Sequence, residues 1–356
     1  MCIRDRYRPQ RLAEGSDARD LQGLHRWCCV TKIGLVLGGG GIAGFAYLTT
    51  TLSMLQQITG WDARDASVIV GTSAGSNLGG FLRAGTPIGE SLDDIMTLPA
   101  NPRSMERLRV LSGREADRTV RLLPTSLKMA AREVVRGPSM SPSRLVSGLL
   151  PNGNIRTDTI GDRMIELHGT EWPDGELLIT TVRLQDSKRV VFGLDRTDVD
   201  VGTAVEASSA IPGYFKPVTI DGFRYVDGGT HSPTNADLLS DRDLDLIVIV
   251  APMSVDNIAT GWMTTNGALR LYWRNQVQRE VRDLRKAGHR VLLLEPSIEE
   301  ARSMGPTMMD PTRIVNVVLQ TSSAARSAMT EAKLGEELTI LRDASGSSDA
   351  MRDKSA

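Results

Sequence analysis

The sequence has 356 residues and a mass of 38.7 kDa, which is long enough for one large α/β domain or two smaller ones with a well-buried core. Hydrophobic residues make up 40% of the chain and charged residues 24%, as is typical of an ordinary globular protein. Because the formal net charge is only -1, no overall field would attract nucleic acid, and we expect none to bind.

The N-terminal stretch contains all three cysteines, Cys2, Cys28 and Cys29. Their position before the first predicted strand argues against a disulfide framework or a zinc site. The stretch has no apolar signal-peptide core, and no run in the chain approaches the roughly 18 apolar residues of a spanning helix, so we expect a cytoplasmic protein. Met1-Cys-Ile-Arg-Asp-Arg6 resembles translated sequencing-adapter read-through, and residues 1–31 are interpreted as a non-native or disordered extension.

The next part of the chain is predicted as strand, helix, strand, helix. The apolar run Ile33–Leu37 predicts a strand that ends in the glycines Gly38–Gly41, and a helix follows from Ala43 to about Gln57. Ser67–Val70 predicts a second buried strand, which is followed by a helix to about Arg83. This order is typical of the α/β class, with a parallel sheet and helices on its faces.

Residues 87–153 are predicted to be an inserted helical cap, because prolines interrupt polar, methionine-containing helical segments there. Further strands are predicted at 176–182, 189–192, 223–226, 244–250 and 290–294, and further helices at 201–209, 264–286 and 311–334. One domain would therefore span residues 32–341. The tail 342–356, rich in Ser, Asp and Lys, is predicted to be disordered.

The motif Gly71-Thr-Ser73-Ala-Gly75 has the form Gly-x-Ser-x-Gly and lies between a predicted strand and a predicted helix. A sharp turn of this kind holds a nucleophilic serine in a strained conformation, so glycine or a very small residue must flank it. The turn also places Ser73 at a helix N-terminus, where free N–H groups favour developing negative charge. The motif indicates Ser73 as a nucleophile, although a turn without chemistry has the same local pattern.

The glycine run Gly39-x-Gly41-x-x-Gly44 allows two interpretations. It fits the dinucleotide fingerprint, with Asp62 and Asp65 about 20 residues further on as candidate ribose-binding acids, so an NAD-binding oxidoreductase is an alternative function. Against this, both acids precede the next strand instead of ending it, and that strand carries the serine motif. In the other interpretation, consecutive backbone N–H groups turn inward as an oxyanion hole for a tetrahedral intermediate.

A third motif, Asp227-Gly228-Gly229, follows the apolar Tyr225-Val226, so that a carboxylate leaves the end of a predicted strand. The glycine run, the Gly-Thr-Ser-Ala-Gly motif and the Asp-Gly-Gly motif, in this order, resemble the patatin-like phospholipase family. Ala207-Ser-Ser-Ala-Ile-Pro-Gly-Tyr-Phe-Lys-Pro217 is similar to that family's segment upstream of its catalytic aspartate. The resemblance covers about residues 33–250.

The resemblance implies a patatin-like three-layer α/β fold with a mostly parallel central sheet. It also implies hydrolysis of ester or thioester bonds in acyl lipids such as phospholipids and lysophospholipids, by a dyad of Ser73 and Asp227 without histidine and without a cofactor or metal ion. The oxyanion donors would be Gly39, Gly40 and Gly41, and the supporting glycines of the motifs would be Gly44, Gly71, Gly75, Gly228 and Gly229.

Two further residues, Ala43 and His231, bear on the predicted dyad. Many relatives carry Arg or Lys just before the last glycine of the loop, where this chain has Ala43. Any role of that cation would be absent here or supplied from elsewhere in the fold. His231, four residues after Asp227, is the only histidine expected near the site, and we interpret it as a loop residue that orders the aspartate turn.

Residues 101–144 are locally basic, with ten Arg and Lys residues against four acidic ones and a local net charge of +6. Because leucine, methionine and valine are interleaved with these charges, the segment could lie on an anionic membrane as an amphipathic cap. A solvated basic helix pair packed on the domain is the alternative.

Overall fold

Eight strands form one sheet in the computed structural model, which describes residues 31–102, 105, 124–137, 140–256, 265–329 and 335–346. The strands are β1 (Ile33–Leu37), β2 (Val68–Gly71), β3 (Glu176–Arg183), β4 (Lys188–Phe192), β5 (Val218–Ile220), β6 (Phe223–Asp227), β7 (Leu246–Val250) and β8 (Val291–Leu294). Hydrogen-bonded neighbours follow the path β5-β6-β3-β2-β1-β7-β8, and β4 also pairs with β3. The neighbours β3, β2, β1, β7 and β8 pair in parallel in that order, whereas β4, β5 and β6 pair antiparallel.

The described α-helices lie between these strands and after β8. They are α1 (Gly41–Thr59), α2 (Ala74–Arg83), α3 (Ile88–Thr97), α4 (Leu127–Val135), α5 (Pro142–Leu149), α6 (Asp158–His168), α7 (Val201–Ser208), α8 (Thr265–Lys286), α9 (Ile298–Ser303), α10 (Ile314–Ala328) and α11 (335–346). None of these described helices is long and apolar enough to cross a membrane.

Both faces of the sheet are covered by helices. Leu35 and Leu37 of β1 point into a core that includes residues of α1, α2 and α7, whereas Val36 points to the opposite face and packs in a cluster with Val277 and Val281 of α8. Side chains alternate along a strand, so a strand that is apolar at every position must be buried on both sides. The predicted three-layer α/β fold with a mostly parallel sheet is confirmed.

Strand β3 brings the ends of β2 and β6 together. Gly71, the last residue of β2, pairs with Ile179 of β3, and Asp227, the last residue of β6, pairs with Thr181 of β3. Since β4 occupies the other edge of β3 over the same stretch, β2 and β6 lie on one edge and meet end to end there. The two motifs that follow these strand ends are therefore neighbours in space.

Most predicted elements are observed with boundaries shifted by three residues or fewer, except that the helix predicted to end at Leu334 ends at Ala328. The predicted disorder after Leu341 is wrong for residues 342–346, because α11 continues to 346 with Leu341 and Ala344 buried. The short edge strand β5 was not predicted. The extension 1–30, most of 103–123, and the tail 347–356 lie outside the described residues.

Candidate active site

Ser73 occupies the tight turn between β2 and α2. Its φ of 54° and ψ of −119° lie in a region that residues with a side chain rarely adopt. Such a conformation costs on the order of 1–3 kcal/mol and persists only when its surroundings enforce it. The prediction that the turn is strained is confirmed.

The glycines on both sides of the turn are required by close backbone approach. A Cβ at Gly71 would lie 2.5 Å from the Ser76 Cα, and a Cβ at Gly75 would lie 2.0 Å from the Leu37 carbonyl oxygen. Either contact is well inside van der Waals distance, so no larger residue fits. The Gly-x-Ser-x-Gly pattern thus follows from packing of the turn against β1 and the start of α2.

The backbone of Ser73 is held on two sides. Its N–H donates to the Ser208 hydroxyl at 2.9 Å, and its carbonyl accepts from the Ser76 hydroxyl at 2.6 Å. The residue is 5% exposed, and it lines the cavity described below. Ser208 was not identified from the sequence, although it lies in the predicted helix 201–209.

Asp227 ends β6 and faces Ser73. Its carboxylate accepts a hydrogen bond from the Gly229 N–H at 2.7 Å, and the Ser73 hydroxyl lies beside it. Burial raises the pKa of Asp227 to about 6, although the neighbouring Ser73 hydroxyl and the Gly229 N–H lower it. An aspartate with a pKa near neutrality is a better proton acceptor than an ordinary one while still being ionised at pH 7.

The Asp-Gly-Gly motif also reflects crowding. A Cβ at Gly228 would lie 2.3 Å from the Thr180 hydroxyl, and a Cβ at Gly229 would lie 3.0 Å from a carboxylate oxygen of Asp227. The chain must therefore turn closely around β3 as it leaves the aspartate. Both glycines keep the carboxylate accessible to its donors.

The glycine loop lies next to Ser73, but its three predicted donors differ. The Gly39 N–H donates to the Pro233 carbonyl at 2.9 Å and is not available to an oxyanion in this arrangement, which corrects the prediction for Gly39. Neither the Gly40 nor the Gly41 N–H has a hydrogen-bond partner among the described residues. Gly41, with a φ of +57°, also lines the cavity beside the serine.

A loop after Asp227 connects these segments. Its Pro233 carbonyl accepts from the glycine loop, and the Asn235 side-chain amide donates to the hydroxyls of Thr72 at 3.1 Å and Thr180 at 3.2 Å. The half-buried Glu280 on α8 accepts, through its carboxylate, from the Ala236 N–H at 3.0 Å and from two further hydroxyls of this loop. No sequence motif distinguished Asn235 or Glu280, because their partners come from distant parts of the chain.

A buried cation lies behind the glycine loop. Arg270 of α8 is 5% exposed, and its guanidinium donates to the Pro252 carbonyl at 2.8 Å and contacts the Met308 sulfur at 3.4 Å. Pro252 and Met308 in turn pack on the loop, 3.0 Å and 3.3 Å from where a Cβ at Gly40 would lie. Burial lowers the pKa of Arg270 to about 10, so it stays charged at neutral pH. Arg270 therefore places a positive charge near the glycine loop, whereas Ala43 within the loop region carries none.

A mostly apolar cavity of about 350 Å³ opens beside Ser73. Its walls come from α1, α2, α3, α6, the 209–215 segment and the start of α10, and they include Phe45, Phe81, Ile95, Ile160, Ile211 and Phe215. Its volume is within the range of small-molecule sites. The predicted cap segment contributes to the wall through α3.

The three described histidines have partners outside the dyad. His231 contacts the guanidinium of Arg144, while His168 and His289 bond to the carbonyls of Gly80 and Ser240. Burial, together with the charges of Arg189 and Arg144, lowers the pKa of His231 to about 3, so it is neutral at pH 7.

The dinucleotide interpretation of the glycine loop is not supported by its acids. The Asp62 carboxylate accepts from the Arg64 N–H at 2.9 Å and from its guanidinium, and so caps a short helical turn. Asp65 lies within the same turn, ahead of β2. Neither acid stands at the end of the second strand, where a ribose-binding acid belongs.

The fold and the turn define the class, which is that of α/β proteins built around a strained serine between a strand and a helix. A family model described as patatin-like phospholipase matches residues 35–240, more than half of the sequence. The chain belongs to the patatin-like phospholipase family, and the predicted resemblance is confirmed. Membership supports lipid acyl hydrolase activity at the level of the family.

The solved structures to which this chain is similar include the following three. VipD from Legionella pneumophila is 13% identical with a TM-score of 0.38, over 84% of this chain and 67% of VipD. Human GIVD cytosolic phospholipase A2, in complex with methyl gamma-linolenyl fluorophosphonate, is 13% identical with a TM-score of 0.35, over 92% of this chain and 62% of the enzyme. The ExoU-SpcU complex of Pseudomonas aeruginosa gives 18% identity and a TM-score of 0.28, over 86% of this chain and 60% of the matched chain. The chain thus spans two thirds or less of these matched chains.

Proposed function

We propose that this protein hydrolyses the ester or thioester bonds of acyl lipids, such as phospholipids and lysophospholipids, with Ser73 as nucleophile and Asp227 as base. The observation that carries the proposal is that the Ser73 hydroxyl lies beside the buried Asp227 carboxylate at the wall of an apolar cavity. A serine hydroxyl is a weak nucleophile until a base within hydrogen-bond distance accepts its proton.

The first half of the reaction forms an acyl-enzyme. The Ser73 oxygen attacks the acyl carbonyl carbon while its proton passes to Asp227, which gives a tetrahedral intermediate with a negative oxygen. The bond to the leaving alcohol or thiol then breaks, and Asp227 returns the proton to that group. In the second half, water attacks the acyl-enzyme with Asp227 again accepting a proton, and the fatty acid leaves as Ser73 regains its hydrogen.

The glycine loop would stabilise the negative oxygen. The N–H groups of Gly40 and Gly41 are the available donors, and the positive charge of Arg270 lies behind them. Donors held in place before the reaction stabilise developing charge without reorganisation, and one such donor typically contributes about 2.7–4 kcal/mol.

The apolar cavity would hold the acyl chain. Each buried methylene contributes roughly 0.8 kcal/mol, so an acyl chain lying along the aromatic and branched side chains binds without specific polar contacts. The charged residues in the wall are Asp94 and Arg163, and both are exposed at its rim. The head group of the lipid would therefore remain outside.

Labelling with a fluorophosphonate probe tests the chemistry. The probe reacts only with an activated serine, so the wild-type protein should be labelled and the Ser73→Ala variant should not. A lipid panel containing phospholipid, lysophospholipid and acyl thioester then identifies the substrate. A folded wild-type protein that is neither labelled nor active on any of these would be a non-catalytic lipid-binding relative.

The basic segment 101–144 remains our proposed region of contact with an anionic membrane. Residues 103–104, 106–123 and 138–139 of it lie outside the described residues, whereas α4 and the start of α5 are described. Contact of this kind would be peripheral.

A further inference from the structure

The helix pair α4 and α5 exposes an unusual number of large apolar side chains. On α4, Leu127 is 63% exposed, Val134 63% and Val135 86%. These positions follow a spacing of i, i+7 and i+8, so they share one face of the helix. Soluble proteins tolerate single exposed apolar residues, whereas a clustered set marks an interaction surface.

Helix α5 has a second apolar stripe. Val146 is 54% exposed, Leu149 52% and the following Leu150 37%. The two helices are packed closely, because the Ser126 N–H donates to the Gly148 carbonyl at 3.0 Å and a Cβ at Gly148 would lie 2.9 Å from the Ala130 nitrogen. The start of α4 therefore lies against the end of α5, and both stripes belong to one helical hairpin, residues 127–150.

The charges beside the α4 stripe are positive. Lys128, Arg132 and Arg136 are exposed at a spacing of four residues and form the neighbouring stripe of the helix. Glu133 is the only acidic residue of the hairpin, and it is fully buried and paired with Arg136. An apolar stripe next to a basic stripe complements the interfacial region of an anionic bilayer.

The hairpin is attached to the candidate active site at both of its ends. The Ser143 hydroxyl at the start of α5 donates to the carbonyl of Thr230, three residues after Asp227, at 3.0 Å. At the other end, the Leu150 side chain lies 3.3 Å from where a Cβ at Gly213 would stand. Gly213 is flanked by Ile211 and Phe215, which line the cavity.

We propose that the helical hairpin 127–150 is a docking surface for an anionic lipid bilayer, and that docking sets the cavity mouth beside the acyl chains. The proposal rests on the proposed function for the identity of the lipid substrate, but binding of the surface to vesicles can be tested without catalysis. The valine and leucine side chains would enter the boundary between head groups and acyl chains, while Lys128 faces lipid phosphates. Arg132 and Arg136 lie beside Lys128 and add positive charge there, although they also contact the Gln185 carbonyl and Glu133. Leu150 is then the point at which the docked surface meets the cavity wall.

Vesicle co-sedimentation tests the surface with the full chain. Wild-type protein should sediment with phosphatidylcholine vesicles that contain phosphatidylglycerol, less with pure phosphatidylcholine, and less again as salt is raised. The double variant Val134→Ser/Val135→Ser should bind on the order of tenfold more weakly. Lys128→Gln should weaken only the binding to phosphatidylglycerol vesicles, by about fivefold. Leu319→Ser is the matched control, because Leu319 is 60% exposed on α10 away from the hairpin.

A soluble short-chain ester separates docking from catalysis. The Val134→Ser/Val135→Ser variant should cleave the soluble ester at the wild-type rate and lose activity only on vesicles. Equal vesicle binding by this variant and wild type, or an equal loss in Leu319→Ser, would overturn the docking surface. The docking surface would also be overturned if light scattering showed a wild-type dimer that is lost in the double variant, with no vesicle binding by the wild-type protein. If wild type sediments with anionic vesicles but cleaves no ester, the docking surface stands and the proposed function fails.

Discussion

Ser73 and Asp227, two residues that are far apart in the sequence, are neighbours at the ends of β2 and β6. The contact depends on β3, which pairs with the end of β2 at Ile179 and with the end of β6 at Thr181. Serine and aspartate are thus each fixed by a strand end on the same edge of one central strand. Such placement limits the freedom of both side chains before substrate binds, which favours proton transfer between them.

The dyad predicts strongly non-additive variants. Ser73→Ala and Asp227→Asn should each lose nearly all turnover, and the double variant should be little worse, because the two groups act as one unit. His231→Ala is the control and should keep most activity, since His231 bonds to Arg144 and is neutral. Steady-state kinetics on the four proteins measures this. A loss in folded His231→Ala as large as that in Ser73→Ala would replace the dyad with a triad.

The pKa of Asp227 predicts the acid limb of the pH profile. The base must be ionised to accept the serine proton, and burial places its pKa at about 6. Activity as kcat/KM should therefore be nearly full above pH 7 and fall about tenfold for each pH unit below 6. A profile that stays flat down to pH 4 in a folded protein would exclude Asp227 as the base.

The raised pKa of Asp227 also makes the free energy of unfolding depend on pH. Because the folded-state pKa lies above the ordinary value, the protonated form is favoured by folding, and stability should decline as the pH rises from about 4 through 6. Asp227→Asn carries no charge and should lack this decline. Thermal melts of both proteins across that range measure the difference, which should disappear at pH 4.

The glycine loop predicts different outcomes at adjacent positions. A Cβ at Gly39 would lie 3.4 Å from the Ser73 Cβ, an ordinary contact, so Gly39→Ala should fold while its methyl group restricts access to the serine. A Cβ at Gly40 would lie 2.7 Å from the Gly44 Cα, so Gly40→Val should displace the loop, lowering both the melting temperature and turnover. Melting curves beside kinetics distinguish the two. Wild-type turnover in a folded Gly40→Val protein would remove the loop from the mechanism.

The buried cation behind the loop predicts an effect on turnover. Arg270→Met should lower kcat on the order of tenfold or more with a smaller change in KM, because the charge matters most when the oxyanion forms. Arg270→Lys should retain part of the activity, since it keeps the charge but loses the fork that reaches Pro252 and Met308. Circular dichroism should show both variants folded. Equal kcat in wild type and Arg270→Met would contradict an electrostatic role.

The cavity predicts a change in chain-length preference. Ile160→Trp places a larger side chain against the wall and should displace methylenes of a long acyl chain. Each methylene lost would lower kcat/KM by about fourfold for long-chain esters, whereas short-chain esters should be cleaved as by wild type. Parallel assays over a series of ester lengths measure this. Unchanged preference along the series would place the acyl chain elsewhere.

Local steric contacts explain why the turn at Ser73 could be predicted from the sequence. The turn at Ser73 requires glycine at Gly71 and Gly75 because neighbouring backbone comes within 3 Å, and this requirement is written into five consecutive residues. The apolar strand before it and the helix after it are likewise short-range patterns. Family membership could be inferred because the motifs recur in a fixed order.

The long-range partners could not be predicted in the same way. Arg270 and Glu280 lie on α8 at positions with no motif, and they act on the site only because α8 packs across one face of the sheet. The buried position Ala344 of α11 was likewise missed, since the polar residues around it are typical of a disordered tail.

The amino-acid sequence by itself determined the glycine-flanked turn at Ser73, the α/β class and the family. Only the tertiary structure decided that Gly39 donates to Pro233 and leaves Gly40 and Gly41 as free donors among the described residues. It also decided that Asp227 is buried enough to have a raised pKa. The physical reason is that a turn is set by steric contacts within a few residues, whereas hydrogen-bond partners and desolvation depend on which distant strands the sheet places side by side.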